Sequence, residues 1–381
     1  MTQRAKVLIF GAAGRVGAQI AAELLRESLH VVLVDIVPEP ALRQLAGRLL
    51  SDSRIAAGST GTTTVYGAVD VLDKTAVAEI VACEHPDLVI NYAIPITWDA
   101  TKRLPNYAQV SAAGLGAFTP IQALAPLSVG AAILESGIDC GYMVGNLPDI
   151  TIPVVSGAAR RGLSAQPLCG AGNVGLNQVA MRGQIARELE VPFAEVELAL
   201  ISHHVHWVAP REPGYSNEGP FLARALVRGR DVTAELGDLR ELMNRGVREH
   251  YESHAGFSST TGILASRVAL ALLDNSGATH RLHAPAPLGL PGGYPLQIGA
   301  MNVAVDLPPG WALEDAMAAM RACHQLDGVE AIAEDGTVNF TEQARDILRD
   351  ELHFDLPAAM KLEDIGVVAT AQIDALRQLF K

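Results

Sequence analysis

A glycine turn set between a strand and a helix constrains this chain more than any other feature. Lys6-Val7-Leu8-Ile9-Phe10 is a short apolar run of the kind a buried parallel strand shows, and it leads into Gly11-Ala12-Ala13-Gly14-Arg15-Val16-Gly17. From Val16 to Arg26 apolar residues return at helical spacing. Glycines in such a turn let the backbone approach a pyrophosphate, and the helix N-terminus aims its free N–H groups and positive dipole end at it. His30-Val31-Val32-Leu33-Val34 then reads as a second strand, closed by Asp35. An acid at that place accepts hydrogen bonds from a ribose diol and repels a 2′-phosphate, so the pattern selects NAD over NADP. Gly11, Ala13, Gly14, Arg15, Val16 and Gly17 are the expected pyrophosphate contacts, and Asp35 the ribose contact.

At 381 residues the chain exceeds one typical domain, so two lobes sharing a cleft are expected. A net charge of −13 is spread along the sequence without a basic stripe, which argues against nucleic acid or an acidic membrane surface as partner. No apolar run suggests a membrane span, and the first ten residues read as strand rather than signal peptide. Cys83, Cys140, Cys169 and Cys323 show no paired spacing, as expected of reduced thiols in a cytoplasmic protein.

Alternating strand and helix continue to about residue 149. Thr62 to Val69 and Asp87 to Asn91 read as strands, and the second ends at Tyr92-Ala93-Ile94-Pro95, on the carboxyl edge where such sheets bind ligands. Asn91, Tyr92, Ala93 and Pro95 are expected to line the nicotinamide. Tyr107 to Ser136 is mainly helical with breaks at its prolines, and Gly141 to Val144 is a strand ending in Gly145-Asn146-Leu147-Pro148. Asn146 would hold the nicotinamide ribose or the substrate. The expected architecture is α/β: residues 1–149 an NAD-binding lobe with a parallel sheet and helices on both faces, and 150–381 an α+β catalytic lobe.

In the second lobe, Glu195 to Val208 reads as one long hydrophobic strand carrying His203, His204 and His206. On a strand His204 and His206 would share a face and His203 point away. Oxidising an alcohol needs a base of near-neutral pKa, which suits histidine. Phe221 to Arg228 and Thr233 to His250 read as helices, Gln297 to Asp306 as a strand, and Leu362 to Phe380 as a helix.

The order of these landmarks resembles the lactate/malate dehydrogenase superfamily, which includes the NAD- and metal-dependent glycosidases of family 4. The glycine turn is similar to the malate dehydrogenase form. Asn146-Leu147-Pro148 resembles the family's Asn-Pro, with a leucine between, and Gly170 to Asn177 resembles its Gly-x-Gly-x-x-Leu-Asp helix start. The resemblance implies His204 as acid/base oriented by Asn177, with His206 on the same strand face as the other catalytic candidate. It implies Thr260 and Thr261 in the substrate loop, and a homodimer or homotetramer. The family's carboxylate-clamping arginine is Ala180 here, which leaves Arg103 and Arg211 as substrate-binding candidates.

The reading is an NAD-dependent oxidoreductase moving a hydride between nicotinamide and a hydroxyl or keto group of a small molecule, without a metal. The glycosidase resemblance gives an alternative, in which Cys169 and His204 hold a divalent transition metal. A non-catalytic NAD-sensing protein is a further alternative.

Overall fold

The structure, a computed structural model, describes residues 4–97, 101–172, 174–210, 218–251 and 254–379. Its first lobe is built on β1 (Lys6–Phe10), α1 (Arg15–Arg26), β2 (His30–Val34), α2 (Glu39–Ala57), β3 (Thr62–Tyr66), α3 (Lys74–Glu84), β4 (Leu88–Asn91), α4 (Tyr107–Ser111), α5 (Thr119–Ser136), β5 (Gly141–Val144), α6 (Pro148–Arg160) and β6 (Cys169–Gly170). The six strands form one parallel sheet in the order β3-β2-β1-β4-β5-β6. Alternate residues serve opposite faces. Val7, Ile9, Val31 and Leu33 pack with Ile20 and Leu24 of α1, while Leu8, Phe10, Val32 and Val34 pack with Val77 and Val81 of α3 and Val129 of α5. Burial on both faces is why these strands read as unbroken Val/Ile/Leu runs.

Strand order reverses on either side of β1, and the carboxyl ends at such a reversal are where sheets of this kind bind ligands. The ends are level, because Phe10 pairs with Val34 on one side and Asn91 on the other, and Asn91 pairs with Val144. Gly11, Asp35, Tyr92 and Gly145 therefore follow at one height.

The glycines of the turn are set by contact. Gly11 has φ +77°, and a Cβ there would lie 2.6 Å from Ala93 N. A Cβ on Gly17 would lie 2.2 Å from Gly11 O, so α1 touches the turn backbone to backbone. Gly17→Ala should cost about 1–3 kcal/mol by overpacking and weaken NAD binding, as read by calorimetry and NADH fluorescence. Gly47→Ala on α2, where a Cβ meets nothing within 4 Å, is the control. It should leave cofactor binding unchanged and raise the melting temperature slightly.

The second lobe carries α7 (Gly175–Glu188), β7 (Val196–Ile201), α8 (Val205–Val208), β8 (Leu222–Val227), β9 (Arg230–Asp231), α9 (Leu239–Tyr251), α10 (His254–Leu273), β10 (His280–Pro285), β11 (Gly293–Gly299), β12 (Asn302–Val305) and α11 (Leu313–Leu326). β13 (Val329–Ile332), β14 (Val338–Phe340), α12 (Glu342–Leu352), β15 (Ala359–Met360) and α13 (Ile365–Leu379) complete the chain. Its strands form three antiparallel sheets, β7-β8-β9, β10-β11-β12 and β13-β14-β15.

Several expectations change. The strand read over 195–208 stops at Ile201; Ser202 bridges to Gly293, and 203–208 turn helically, with His206 N bonded to His203 O and Val208 N to His204 O. Residues 222–227, read as helix, are a strand that pairs with β7 from Val196–Val227 to Ile201–Leu222; the pairing overrides Ala/Leu/Arg propensity. The strand read over 297–306 is a hairpin turning at Ala300 and Met301, both at positive φ. Finally, the parallel sheet closes at Gly170, beyond 149, and residues 329–376 pack back on the first lobe. Val329, Phe340, Leu348 and Leu376 share a core with Phe118, Ile121, Ile150 and Val154.

The stretch Leu115–Ser136 is long and apolar enough by composition to cross a bilayer, against the expectation from sequence, and 72% of its most apolar window is buried. Its helix α5 continues through Pro126 with no break. Flanked by α3, α6 and α13, it has little solvent face to keep polar.

Candidate functional site

The glycine turn, Asp35 and the end of β4 lie side by side at the carboxyl edge of the parallel sheet. Asp35, 8% exposed, accepts from Ala13 N at 2.8 Å and Val37 N at 3.2 Å, so its carboxylate braces the glycine turn. Gly14 and Arg15 are exposed at the start of α1, where first-turn N–H groups have no partner inside the helix. Val16 is half-buried behind them. At the end of β4, Asn91 Oδ1 accepts from Ala93 N at 3.2 Å, and Asn146 Nδ2 donates to Ala93 O at 2.5 Å. The Tyr92 hydroxyl donates to Ala171 O, and its ring lies against Gly145, where a Cβ would come within 2.4 Å of it. Pro95 is exposed beyond them. Leu147, the leucine inside the Asn-Pro motif, sits at φ +37° and starts α6.

Two residues past Leu147, Asp149 points into a group of imidazoles. His204 donates to Asp149 Oδ2 from its backbone N–H at 2.9 Å and its ring Nδ1 at 2.8 Å. His203 Nε2 lies 3.3 Å from the same oxygen. Across the ring, His204 Nε2 is 2.9 Å from Asp327 Oδ2, close enough for an ion pair but without hydrogen-bond geometry. Asp327 follows α11 and is pinned by Leu115 N, which donates to Oδ1 at 2.9 Å. Gly114 and Gly116 flank that contact; a Cβ on either would meet Asp327 main-chain atoms within 2.5 Å. His324 joins from α11, its Nε2 3.2 Å from Asp149 O. Every one of these side chains is at most 1% exposed.

Burial alone would lower the His204 pKa, but the charges of Asp149 and Asp327 outweigh it and raise it to about 10. Burial works against ionised Asp149, yet the two histidines beside it hold its carboxyl below the usual carboxylate range. Burial pushes His203 well down and His324 to about 4, and pushes Asp327 up. At neutral pH the cluster is an imidazolium between two acids, with neutral imidazoles around it.

The helical turn separates the three neighbouring histidines differently from a strand. His203 and His204 both reach Asp149, whereas His206 turns away, its Nε2 bonded to Gly219 O at 2.9 Å and its Nδ1 accepting from His203 N at 3.0 Å. With both nitrogens committed to backbone, His206 is a brace rather than a reacting group. Asn177 does not orient the His204 ring; its Nδ2 donates to Ser202 Oγ and His203 O, holding the chain where the strand ends. Asp149 does the orienting, and sequence reasoning missed it together with Asp327 and His324.

Other candidates fall outside the cluster. Thr260 Oγ1 bonds His250 Nε2 at 3.0 Å. Thr261 is buried, with its carbonyl against Gly172. Arg103 is exposed and does not enter the cluster, and Arg211 lies outside the described residues. Cys169 is buried in the sheet core, its thiol pushed up to about 12 by burial, and is not among the residues grouped around Asp149.

Comparison with known proteins bears on the fold. The family model described as NAD dependent epimerase/dehydratase family matches residues 7–116, which hold the glycine turn, Asp35 and the β4 edge. A malate dehydrogenase from Picrophilus torridus superposes with a TM-score of 0.58 at 16% identity, over 91% of this chain and 99% of that one. A minor L-lactate dehydrogenase from Enterococcus mundtii gives 0.55 at 18% identity, over 85% and 97%. A malate dehydrogenase from Salinibacter ruber gives 0.53 at 20% identity, over 84% and 95%. The chain has the lactate/malate dehydrogenase fold. No curated protein sequence matches it. At these identities the shared feature is the fold, and the chemistry of this dehydrogenase-fold protein has to be argued from its own residues.

Proposed function

We propose that the protein is an NAD-dependent oxidoreductase acting on a hydroxyl or keto carbon of a small molecule. One observation carries this reading: a continuous line of contacts runs from the glycine turn to the histidine cluster. Gly11 abuts Ala93, Ala93 O accepts from Asn146, and Asn146 lies three residues before the Asp149 that holds His204. A dinucleotide laid from Asp35 across Gly14 would bring its nicotinamide to Asn146, beside the cluster. Bound NADH would supply the hydride for a carbonyl carbon, and the His204 imidazolium would supply the proton for its oxygen, leaving an alcohol, NAD and a neutral imidazole. In the oxidation direction the neutral imidazole would take that proton back.

Two features narrow the substrate. The place of an arginine clamp is taken by Ala180, packed against Gly246 of α9, and Asp327 puts a carboxylate beside His204. Both disfavour an anionic substrate, so neutral or cationic alcohols and ketones are expected to turn over ahead of 2-hydroxy acids. A panel followed by NADH absorbance at 340 nm tests this; turnover confined to 2-hydroxy acids would contradict it.

Asp35 makes a separate prediction. NAD(H) should bind at least about tenfold more tightly than NADP(H), which is about 1.4 kcal/mol and modest for a carboxylate facing a phosphate in a partly closed crevice. Equal dissociation constants by calorimetry would remove Asp35 from the ribose.

A further inference from the structure

We propose that the buried histidine–aspartate cluster is a binding site for one divalent transition-metal ion, with Asp149, His203 and His204 as its ligands and Asp327 holding the far nitrogen of the His204 ring. Ligand atoms of the first three lie within 4.8 Å of one another. Asp149 Oδ2 is 3.3 Å from His203 Nε2 and 2.8 Å from His204 Nδ1. Metal–ligand bonds of about 2.1 Å place neighbouring ligand atoms roughly 3.0–3.4 Å apart, so small shifts of these three side chains seat one ion.

The second observation is independent of the distances. Asp149 Oδ1, His203 Nε2 and His324 Nδ1 are buried without a hydrogen-bond partner. Buried polar atoms are rarely left so, and here three gather in one place. A single water donates only two hydrogen bonds, whereas a cation accepts a lone pair from every ligand at once. The donor set is imidazole nitrogen and carboxylate oxygen with no thiolate, which suits zinc, manganese, cobalt or iron(II) and not the oxygen-seeking calcium or magnesium. It differs from the Cys169–His204 pair read from sequence. Rigid backbone supports it: Gly114 and Gly116 seat Asp327, and His206 and Asn177 fix the turn that carries His203 and His204.

The site goes beyond the oxidoreductase reading and does not depend on it, since binding is measured without NAD. An ion here would supply a Lewis acid for a substrate oxygen at the place where the nicotinamide is expected. The test starts from purified full-length protein, dialysed against chelator and titrated calorimetrically with Co²⁺ alone, with absorbance followed between 500 and 700 nm. One Co²⁺ per chain should bind, with a ligand-field spectrum of mixed imidazole and carboxylate coordination. Mg²⁺ should give no saturable heat. His203→Gln and Asp327→Asn should each weaken binding by roughly 10–100-fold or more, while Cys169→Ala should leave it unchanged. No saturable Co²⁺ binding to the wild type would overturn the proposal whatever the variants do, as would binding lost only in Cys169→Ala. NADH fluorescence on the same chelated sample reports the dinucleotide site separately, so failure of either reading is visible alone.

Discussion

His204→Asn should lower kcat by roughly 10²–10⁴-fold while NAD affinity stays near wild type. Asparagine is close in size and can still donate to one carboxylate, but it carries neither a proton at neutral pH nor a metal-binding imidazole. Its two neighbouring acids, Asp149 and Asp327, would then face each other without the charge that now separates them. The dinucleotide contacts lie on other residues, so NADH fluorescence should titrate as before and shows that the variant has folded. His206→Asn is the companion measurement. Because His206 bonds only backbone, at Gly219 O and His203 N, it should cost stability and a much smaller part of kcat. A His206 variant without turnover beside an active His204 variant would move the chemistry off the Asp149 pair.

Asp149→Ala should be the most destabilising single change in the site. It removes the acceptor of two hydrogen bonds from His204 and leaves a fully buried imidazolium with Asp327 alone. Breaking one side of a buried ion pair typically costs 3–5 kcal/mol, so urea unfolding should shift by about that amount. Asp149→Asn keeps an oxygen for the His204 backbone N–H and loses only the charge, so a smaller loss of stability is expected than for alanine. Equal losses in the two variants would mean that packing, not charge, is what Asp149 provides.

How far the sequence could be read follows from the range of each interaction. The nucleotide lobe was legible because its signals are local: a strand, a glycine turn and a helix are contiguous, and Asp35 meets Ala13 N only 22 residues away. The cluster was half legible. His204 was found, but its partners were not, since Asp149 lies 55 residues upstream and Asp327 is anchored to Leu115 across 212. Nothing in the pattern around Asp149 separates it from an ordinary acid in a first helical turn. The faces of the three histidines were misread because a uniformly apolar run gives no sign of where a strand stops. What stops it is tertiary: Asp149 takes the His204 N–H that a sheet partner would have used. The β11–β12 hairpin escaped for a related reason, as its turn is Ala300-Met301 and lacks the glycine or asparagine that announces positive φ.

The central claim is that the nicotinamide and the histidine–aspartate cluster share one cleft, and a structure of the full-length protein with NAD bound tests it most directly. The account predicts the adenosine ribose on Asp35, the pyrophosphate over Gly14 and Arg15, and nicotinamide C4 beside Asn146, facing the side of α6 that carries Asp149. A dinucleotide bound away from the glycine turn, or one whose C4 faces solvent away from Asp149 and His204, would contradict it.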